Sequence, residues 1–595
     1  MSAKLVVGID LGTTHSALAV APLDNAEARV TVLEIEQLVA AGALGKSSLL
    51  PSFLYFGHES EAALALPWDS ERRFAVGEYA RSRGAEAPER VIASAKSWLS
   101  YGGVDRRSGT LPVNAAQDIE KISPVEASFR LLDHLNEAFR AAHPAAGDLS
   151  EQEVVLTVPA SFDAGARDLT VEAALAAGFD QVTLLEEPQA ALYAWIEQNG
   201  EAWRTHLRAG DRVLVVDIGG GTTDFSLIDA VEQDGALALQ RVAVGDHILL
   251  GGDNMDLALA HIVGQELAAQ GKELDRFQLG ALAHACRGAK EKLLSDDRIA
   301  EIAVVLPSRG SQLVGGSMRG ELRREQVERY LLEGFFPQVA ATEVPKVRPR
   351  AGLTQVGLPY ASDAAITKHL AAFLARESRP PTAILFNGGV LKAHILRARL
   401  LSTLDGWLAE RGAPAVRVLP GEDLDLAVAR GAAYYGLVRH GRGLRIRGGT
   451  AHAYYVGIES PMPALPGMEP PVFALCVAPF GMEEGAHAAL PASAGQLFVV
   501  VGEPVTFRFF GSTSRRTDEA GSMLERWRAG ELEELPQIEL TLPPSGRAVG
   551  EVVAVQLHAS VTAIGTLKLE AIPQAPLAAD ERWQIELSVR HGATS

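Results

Sequence analysis

Two short segments of the chain carry the same succession of residue types about 200 positions apart. In residues 4–16 and again in residues 212–224, an apolar stretch ends in an aspartate, Asp10 or Asp217, and a turn rich in glycine and threonine follows. Glycine lets main-chain N–H groups approach an anion closely, and threonine hydroxyls add further donors. A carboxylate beside such a turn suits the hard cation that accompanies phosphate. The two segments therefore predict a duplicated, two-lobed fold that holds a metal-bound nucleotide phosphate chain from both sides.

The chemistry that such a cleft supports is the cleavage of a terminal phosphate. That reaction needs charge neutralisation, a held metal ion and an oriented water, with little covalent work by the protein. Asp10 and Asp217 would face each other and hold a hydrated magnesium ion. A third carboxylate, Glu187, precedes Pro188 and would lie at the start of a helix. Phosphate donors would come from Gly12, Thr13 and Thr14 on one side and from residues 219–223 on the other.

Length and composition limit the class of protein. At 595 residues the chain is too long for one core, and roughly 150 residues per domain predicts three to four units. A net charge of −19 argues against nucleic acid as the main ligand. Cys286 and Cys476 are far apart and lack metal-ligand spacing, which disfavours zinc and fits a reducing compartment. Because no apolar stretch reaches the ~18 residues that span a bilayer, we expect a soluble, cytoplasmic protein.

The order of elements changes near residue 440. Strand and helix patterns alternate before it, with predicted helices at 124–142, 164–177, 188–197, 279–294, 362–376 and 425–438. The proline-rich and basic segment 342–359 is predicted as a loop. After residue 449 strand patterns dominate, including an alternating run at 505–510, and one helix is predicted at 517–528. The sequence therefore predicts an α/β front part and a β-rich back part.

Several motifs together resemble the DnaK-type heat-shock protein 70 chaperones. They occur in family order over residues 4–438, at 8–14, 158–162, 187–188, 217–224, 250–253, 285–286 with 289–290, 388–389 and 425–433. The resemblance implies a two-lobed, actin-like (ribonuclease H-like) ATPase domain followed by a β-rich domain. It divides the chain into an ATPase domain at 1–439, a linker at 440–449 and a β-rich, substrate-binding-like domain at 450–595 that lacks a helical lid. Lobe I would comprise residues 1–208 and 420–439, and lobe II residues 209–419.

The resemblance also implies roles for individual residues, with ATP or ADP and Mg²⁺ as cofactors. Asp10 and Asp217 would position magnesium through its waters, and Glu187 would lie in the metal shell or orient water. Residues 93–99 look like the segment that bears the family's catalytic lysine, which makes Lys96 the expected cation, and Thr222 would lie near the attacking water. The remaining nucleotide-binding residues implied are Gly12, Thr13, Thr14, Gly219, Gly220, Gly221 and Thr223 for the phosphates, and Gly252, Lys290, Gly388, Gly389 and Asp425 for adenosine.

The sequence departs from the family pattern in several places. Glu291 stands where relatives often have an arginine that stacks on adenine, and Val390-Leu391-Lys392 replaces Ser-Thr-Arg. Leu175 replaces a basic residue of the usual co-chaperone docking surface. The glycine- and arginine-rich segment 440–449 stands in place of the acidic and apolar interdomain linker.

The resemblance implies an ATP-driven chaperone whose partners are unfolded or extended polypeptides, together with a J-domain protein and a nucleotide exchange factor. The departures at Leu175 and in the linker argue against the usual co-chaperone docking, and neither nucleic acid nor membrane is expected as a partner. Because the same cleft serves other functions, a small-molecule (sugar-type) kinase, an actin-like filament ATPase and a binding-only sensor remain alternatives. Peptide-stimulated hydrolysis would favour the chaperone, and a phosphorylated sugar would favour the kinase.

Overall fold

The chain folds into α/β elements followed by a β-rich region, as predicted, and the computed structural model divides it into two units. The first comprises Met1–Ser161, Leu169–Leu239 and Val244–Arg445, and the second Phe162–Asp168, Gln240–Ala243 and Ile446–Ser595. The residues described are 4–25, 29–84, 86–233, 236–306, 318–347, 357–421, 423–443, 446–448, 450, 453–459, 471–482, 486–490, 496–512, 514–515, 517–528, 530–535, 537–561, 566–578 and 581–588. Parts of the predicted linker (444, 445 and 449) and loop (348–356) lie outside them.

The first part of the chain contains a mixed sheet, two smaller sheets (Ile35–Ala40 with Ala43–Ser47, and Phe53–Phe56 with Phe74–Val76 and Val91–Ala93) and several helices. Its strands are Leu5–Asp10 (β1), His15–Pro22 (β2), Thr31–Val32 (β3), Ile35–Ala40 (β4), Ala43–Ser47 (β5), Leu50–Pro51 (β6), Phe53–Phe56 (β7), Phe74–Val76 (β8), Val91–Ala93 (β9), Glu153–Val158 (β10) and Val182–Glu186 (β11). Its α-helices are Glu78–Arg83 (α1), Ala95–Leu99 (α2), Pro124–Ala142 (α3), Ala164–Ala176 (α4), Glu187–Asn199 (α5) and Trp203–His206 (α6). The mixed sheet runs β11-β10-β1-β2-β3, with β1 parallel to β10 and antiparallel to β2.

The same topology recurs after residue 211. The strands are Arg212–Ile218 (β12), Thr223–Gln233 (β13), Ala236–Val244 (β14), Glu301–Leu306 (β15), Met318–Arg323 (β16), Ala383–Asn387 (β17) and Arg417–Val418 (β18). The helices are Gly252–Ala269 (α7), Arg276–Ser295 (α8), Arg324–Gly334 (α9), Ile366–Ala375 (α10), His394–Glu410 (α11) and Ala427–Arg439 (α12). Strand β12 is antiparallel to β13 and parallel to β17, as β1 is to β2 and β10. The duplication predicted from the two hairpin motifs is therefore present in the sheets.

The central strands end where the predicted carboxylates begin. Val6, Val7 and Ile9 of β1 are fully buried, as are Val213–Val216 of β12, and each strand then reaches its aspartate. Burial of a valine or isoleucine side chain contributes about 1.5–3 kcal/mol, so these strands are firmly held. Strand β11 ends at Glu186, and α5 begins at Glu187 with Pro188 in its first turn. The carboxyl ends of parallel strands are the usual location of ligand sites in such sheets.

The second unit is β-rich. Its strands are Ile446–Gly448 (β19), Ala453–Glu459 (β20), Val472–Ala478 (β21), His487–Ala489 (β22), Leu497–Val500 (β23), Pro504–Phe507 (β24), Phe509–Ser512 (β25), Met523–Leu524 (β26), Glu533–Glu534 (β27), Ile538–Thr541 (β28), Val552–Val561 (β29), Thr566–Pro573 (β30) and Trp583–Ser588 (β31). Two five-stranded sheets, one built on β20 and β21 and the other on β29 and β30, contribute to a common apolar core that includes Leu475, Phe509 and Leu569.

Two predictions for the second unit are wrong in detail. Residues 517–528 form turns and the short strand β26 in place of the predicted helix. Tyr455 and Arg515 both donate hydrogen bonds to Asp518, and Met523 and Leu524 pair with β21, so tertiary contacts override the local helix pattern. The predicted strand 505–510 divides at Arg508 into β24, which pairs with β28, and β25, which pairs with β20. Among the described residues, no helix is long and apolar enough to cross a membrane.

Candidate functional site

A cavity of about 510 Å³ lies between the two hairpins of the first unit. Asp10 and Asp217 both line it, so the two carboxylates share one space. The other predicted site residues that line it are Gly12, Thr13, Thr14, Lys96, Glu187, Gly219, Gly220, Thr222, Gly252, Lys290, Gly388, Gly389 and Asp425. The fold thus brings together side chains that are up to about 400 residues apart in the sequence.

Gly221 and Thr223 lie behind the cavity wall. The Thr223 side chain is fully buried, and its hydroxyl donates to the Leu250 carbonyl oxygen at 2.7 Å. A Cβ at Gly221 would lie 2.5 Å from the Thr13 methyl carbon and 3.2 Å from the Ser97 hydroxyl oxygen. Gly221 therefore lets the two turns approach closely, whereas Thr223 fixes the second turn to the backbone at Leu250.

Only glycine fits at Gly220, where the second turn meets the first, and at Gly12, inside the first turn. A Cβ at Gly220 would lie 1.9 Å from the Thr14 methyl carbon, and a Cβ at Gly12 would lie 1.9 Å from the His15 carbonyl oxygen. Such distances are far shorter than a van der Waals contact. A larger residue would therefore displace the backbone that forms the cradle.

Lys96 and Glu187 form an ion pair within the cavity wall. All five residues of α2 are buried, and the preceding Ser94 adopts a left-handed conformation with φ of 57°. Burial lowers the pKa of Lys96, but Glu187 and Asp10 outweigh it and hold that pKa above its ordinary value. Lys96 is therefore a fixed, charged ammonium group beside the carboxylates.

The charges of Lys96 and Glu187 also act on the two aspartates of the cavity. Burial raises the pKa of Asp10 to about 7, while Lys96 lowers it and Glu187 and Asp217 raise it. Burial and the charge of Glu187 raise the pKa of Asp217 to about 7, while the Asn387 amide, which donates to its carboxylate at 2.7 Å, lowers it. The cost of burying these negative charges makes the site favourable for a cation.

The cavity offers oxygen donors of the kind that a hydrated Mg²⁺ ion uses. Among the residues that the structure describes, no group of three or more histidine, cysteine, aspartate or glutamate side chains is placed to hold a metal ion. Asp10 and Asp217 offer oxygen ligands from opposite hairpins, which suits an ion that keeps most of its waters. The Asn387 carbonyl oxygen is buried without a hydrogen-bond partner among the described atoms and supplies a further acceptor beside Asp217.

The predicted adenosine residues lie on the side of the cavity formed by α7, α8 and β17. Lys290 forms an ion pair with Asp256 at 2.6 Å and donates to the Gly252 carbonyl oxygen at 3.3 Å. Gly388 has φ of 87°, and a Cβ there would lie 2.3 Å from the Ile218 carbonyl oxygen. Asp425 forms an ion pair with Lys392 at the cavity edge.

Sequence reasoning missed several charged and polar residues around the cavity. Arg287 pairs with Asp253 and with Asp256, and Asn387 lies opposite Asp217 on the adjacent parallel strand. Asp224 ends the second hairpin motif and is buried, and the charges of Glu187 and Lys96 in the cavity wall act on it. Asn387 could have been recognised as a site residue from its position before the Gly388-Gly389 turn, at the end of a buried strand. Arg287 had no comparable signal, because its role depends on a packing of α8 against α7 that the local sequence does not specify.

The duplicated sheets around an acidic, glycine-lined cavity define a two-lobed actin-like ATPase fold. A model of the Hsp70 protein family matches residues 6–342, which is more than half of the chain, so the chain belongs to the Hsp70 family. The family predicted from the motifs is thereby confirmed.

Curated relatives carry the name "Chaperone protein HscA homolog". The protein of that name from Variovorax paradoxus (strain S110) is 32% identical over 344 residues, which cover 55% of this chain and 46% of the relative. The one from Methylococcus capsulatus (strain ATCC 33009 / NCIMB 11132 / Bath) is 32% identical over 322 residues, covering 52% and 45%. That of Pseudomonas aeruginosa (strain LESB58) is 31% identical over 348 residues, covering 56% and 47%. The chain spans about half the length of the curated relatives it matches.

Proposed function

We propose that this chain is an ATP-hydrolysing chaperone of the Hsp70 type, in which the binding and hydrolysis of Mg-ATP are coupled to the binding of unfolded or extended polypeptide. The observation that carries the proposal is the common cavity wall, in which Asp10 and Asp217 lie on opposite hairpins beside the buried Lys96–Glu187 pair. Membership of the Hsp70 family and the likeness to relatives named as chaperones support the same function.

Each group in the wall has a role in this proposal. The triphosphate lies between the glycine turns, where Gly12, Thr13, Thr14 and Gly219–Gly221 supply donors and Thr223 braces the second turn. Asp10 and Asp217 hold Mg²⁺, mostly through its waters, and the ion when bound neutralises phosphate charge. Lys96 supplies a fixed cation, Glu187 orients water, and the Thr222 hydroxyl lies near the attacking water. Gly252, Lys290, Gly388, Gly389 and Asp425 surround the adenosine.

The remaining parts of the proposal concern the other domain and the partners. Residues 1–439 form the ATPase domain, with lobes at 1–208 plus 420–439 and at 209–419, and residues 440–449 form the linker. Residues 450–595 hold an extended client segment through main-chain hydrogen bonds and side-chain pockets. Cys286 and Cys476 are buried free thiols, which fits a reducing compartment such as the cytoplasm.

Hydrolysis is tested with purified protein and radiolabelled ATP, with and without an unfolded peptide, beside a screen of sugars as phosphate acceptors. We expect ATP turnover that rises with peptide, and a fall of about 100-fold or more in Asp10→Asn and Lys96→Ala. Glu291→Gln, at the outer part of the cavity, tests whether any loss of charge there has the same effect. A phosphorylated sugar, or full activity in either main variant, would overturn the assignment.

Coupling between nucleotide and client needs a separate measurement. The rate at which a fluorescent extended peptide dissociates is compared with ATP and with ADP bound, because a ligand shifts an equilibrium only through its differential affinity for the two states. We expect faster dissociation with ATP. Equal rates with the two nucleotides would leave an ATPase without chaperone coupling.

A further inference from the structure

A series of hydrogen-bonded side chains extends from Asp224, behind the cavity wall, toward the protein surface. The Ser161 hydroxyl donates to the Asp224 carboxylate, and the same hydroxyl oxygen lies 2.7 Å from Nδ1 of His247. On the other side of the ring, Nε2 of His247 lies 3.2 Å from the Ser100 hydroxyl oxygen. Ser161 and Asp224 are buried, whereas Ser100 and His247 are partly exposed. The four residues come from four separate segments of the first unit.

Counting protons fixes the direction of the hydrogen bond between His247 and Ser161. Ser161 has one hydroxyl proton, and it is donated to Asp224. The contact between Ser161 and His247 must therefore be a hydrogen bond that Nδ1–H donates to the Ser161 oxygen. The Ser100 hydroxyl near Nε2 donates its own proton to the Ser97 carbonyl oxygen, so only the Nδ1 side of the ring is fixed by this count. The geometry thus places a proton on Nδ1, the nitrogen that acts on Asp224 through Ser161.

Asp224 in turn contacts the cavity through Thr222. The Thr222 hydroxyl makes a side-chain hydrogen bond to Asp224, and Thr222 lines the cavity. Asp224 also lies in the fields of Glu187, which repels its negative charge, and of Lys96, which attracts it. A carboxylate under such opposing forces needs fixed donors to keep one orientation. Ser161 is such a donor, and His247 keeps the Ser161 proton directed at Asp224.

We propose that His247 is a positioning residue for ATP hydrolysis: through Ser161 it fixes the Asp224 carboxylate, and through Asp224 it fixes the Thr222 hydroxyl at the phosphate end of the cavity. This inference rests on the proposed function and deepens it, because it adds the residues that set the orientation of Thr222. It assigns His247 to the hydrolytic step and gives it no part in holding the nucleotide.

Three substitutions at position 247 separate a directed hydrogen bond from simple packing. Asparagine places an amide donor near the position of Nδ1, glutamine places one near Nε2, and leucine has no donor. In single-turnover hydrolysis of ATP with Mg²⁺, we expect His247→Leu and His247→Gln to lose about tenfold in rate, as for loss of a hydrogen bond that acts on a charged group. His247→Asn should recover most of that rate, and the dissociation constant of ATP should change by less than about twofold in all three. The control is His261→Leu, at an exposed position of α7, which should match the wild type.

The wild type provides a test that needs no variant. Nitrogen-15 NMR of histidine-labelled protein, with the His247→Asn spectrum to assign the signal, should show a proton on Nδ1 of His247. An Nε2–H tautomer would overturn the inference, as would full hydrolysis by His247→Leu or equal losses in the asparagine and leucine variants. The wild-type rate in the same assay reports on the proposed function itself. A wild type that does not hydrolyse ATP would remove that function and this inference with it.

Discussion

The buried carboxylates of the cavity lower the stability of the protein when no ligand is bound. Burial disfavours the ionised forms of Asp10 and Asp217, and Glu187 adds repulsion to both. Lys96 offsets only part of this negative charge, because it is already paired with Glu187. A carboxylate that is unfavourable without its ligand is typical of a functional site and gives a testable dependence of stability on pH.

We expect Asp10→Asn to stabilise the ligand-free protein at alkaline pH. The folded pKa of Asp10, about 7, is above the ordinary value of 3.8, so between these values the folded state binds more protons than the unfolded one. That contribution to stability is full below pH 4 and is lost as the pH rises through 7. In urea unfolding with EDTA and without nucleotide, the stability of the variant relative to the wild type should rise by about 2 kcal/mol or more between pH 5 and pH 8.

The matched control for this measurement is Asp297→Asn, because the Asp297 side chain is fully exposed. The difference between that variant and the wild type should not change between pH 5 and pH 8. An Asp10→Asn protein that is less stable than the wild type at pH 8 would contradict the prediction.

The contribution of His134 to stability depends on pH in the opposite direction from that of Asp10. It is buried in α3, and its Nε2–H donates to the Glu36 carbonyl oxygen at 3.1 Å. Burial and the charge of Arg72 lower its pKa to about 3, so the unfolded state takes up the proton first as the pH falls below 6.5. Its contribution to stability is present above pH 6.5 and decreases toward pH 3.

His134→Gln should therefore weaken the acid sensitivity of the protein. Glutamine keeps a donor for Glu36 but does not titrate, so the wild type should lose about 1 kcal/mol per pH unit relative to the variant between pH 6 and pH 4. Urea midpoints at pH 7, 6, 5 and 4 measure the difference. His58→Gln is the control, since His58 is exposed. Parallel stability curves for the wild type and His134→Gln would show that His134 does not titrate on unfolding.

At the scale of elements, α12 is held against β1 and α5 by glycines and alanines. A Cβ on Gly8 of β1 would lie 2.2 Å from the Ala433 nitrogen, and a Cβ on Gly431 would lie 1.7 Å from the Ala190 carbonyl oxygen. A Cβ on Gly436 would lie 2.1 Å from the Val6 side chain. Because α12 packs on the strand that carries Asp10, its close approach helps to fix the cavity.

We expect Gly431→Ala to destabilise the protein by about 3 kcal/mol or more, because the added methyl group meets backbone that cannot move independently. Gly406→Ala in α11 is the matched control, since a Cβ there meets no described atom within 4 Å. That control should be neutral or stabilise by up to about 1 kcal/mol, as alanine favours helix over glycine. Thermal unfolding of both variants measures the contrast, and equal effects would refute the close-packing argument.

Some elements of the fold could be predicted from the sequence, and others could not. Long periodic helices such as α3 were predictable because local pattern and capping agree, and the hairpins were predictable because their motifs are duplicated. Residues 517–528 were not, because Asp518 and Met523 are held by partners far away in the sequence. The residues of the site likewise include some that the sequence predicts and some that it does not. Asp10 and Asp217 lie in recognisable motifs, whereas His247 and Arg287 acquire neighbours only through packing.

At the scale of the whole molecule, the cavity belongs entirely to the first unit. Its lining residues run from Asp10 to Val428 and all fall within Met1–Ser161, Leu169–Leu239 or Val244–Arg445. The core of the second unit is formed separately, by residues such as Leu475, Phe509 and Leu569. A ligand stabilises the state that binds it, so the two units should respond differently to nucleotide.

We expect Mg-ADP to raise the stability of the first unit by about 2.7 kcal/mol at 100 times its dissociation constant. In hydrogen exchange of the full chain, the slowest amides of Leu5–Asp10 and Arg212–Ile218 should gain protection, because they exchange through global opening of the unit that binds the ligand. The slowest amides of Thr566–Pro573 should change little, since the core of the second unit forms no part of the cavity. Addition of EDTA should remove most of the gain, because Asp10 and Asp217 then face the phosphates without the metal ion, and Lys96 is already paired with Glu187. Equal protection of Thr566–Pro573 and Leu5–Asp10 would mean that the two units unfold as one, and an unchanged Leu5–Asp10 would mean that the nucleotide binds elsewhere.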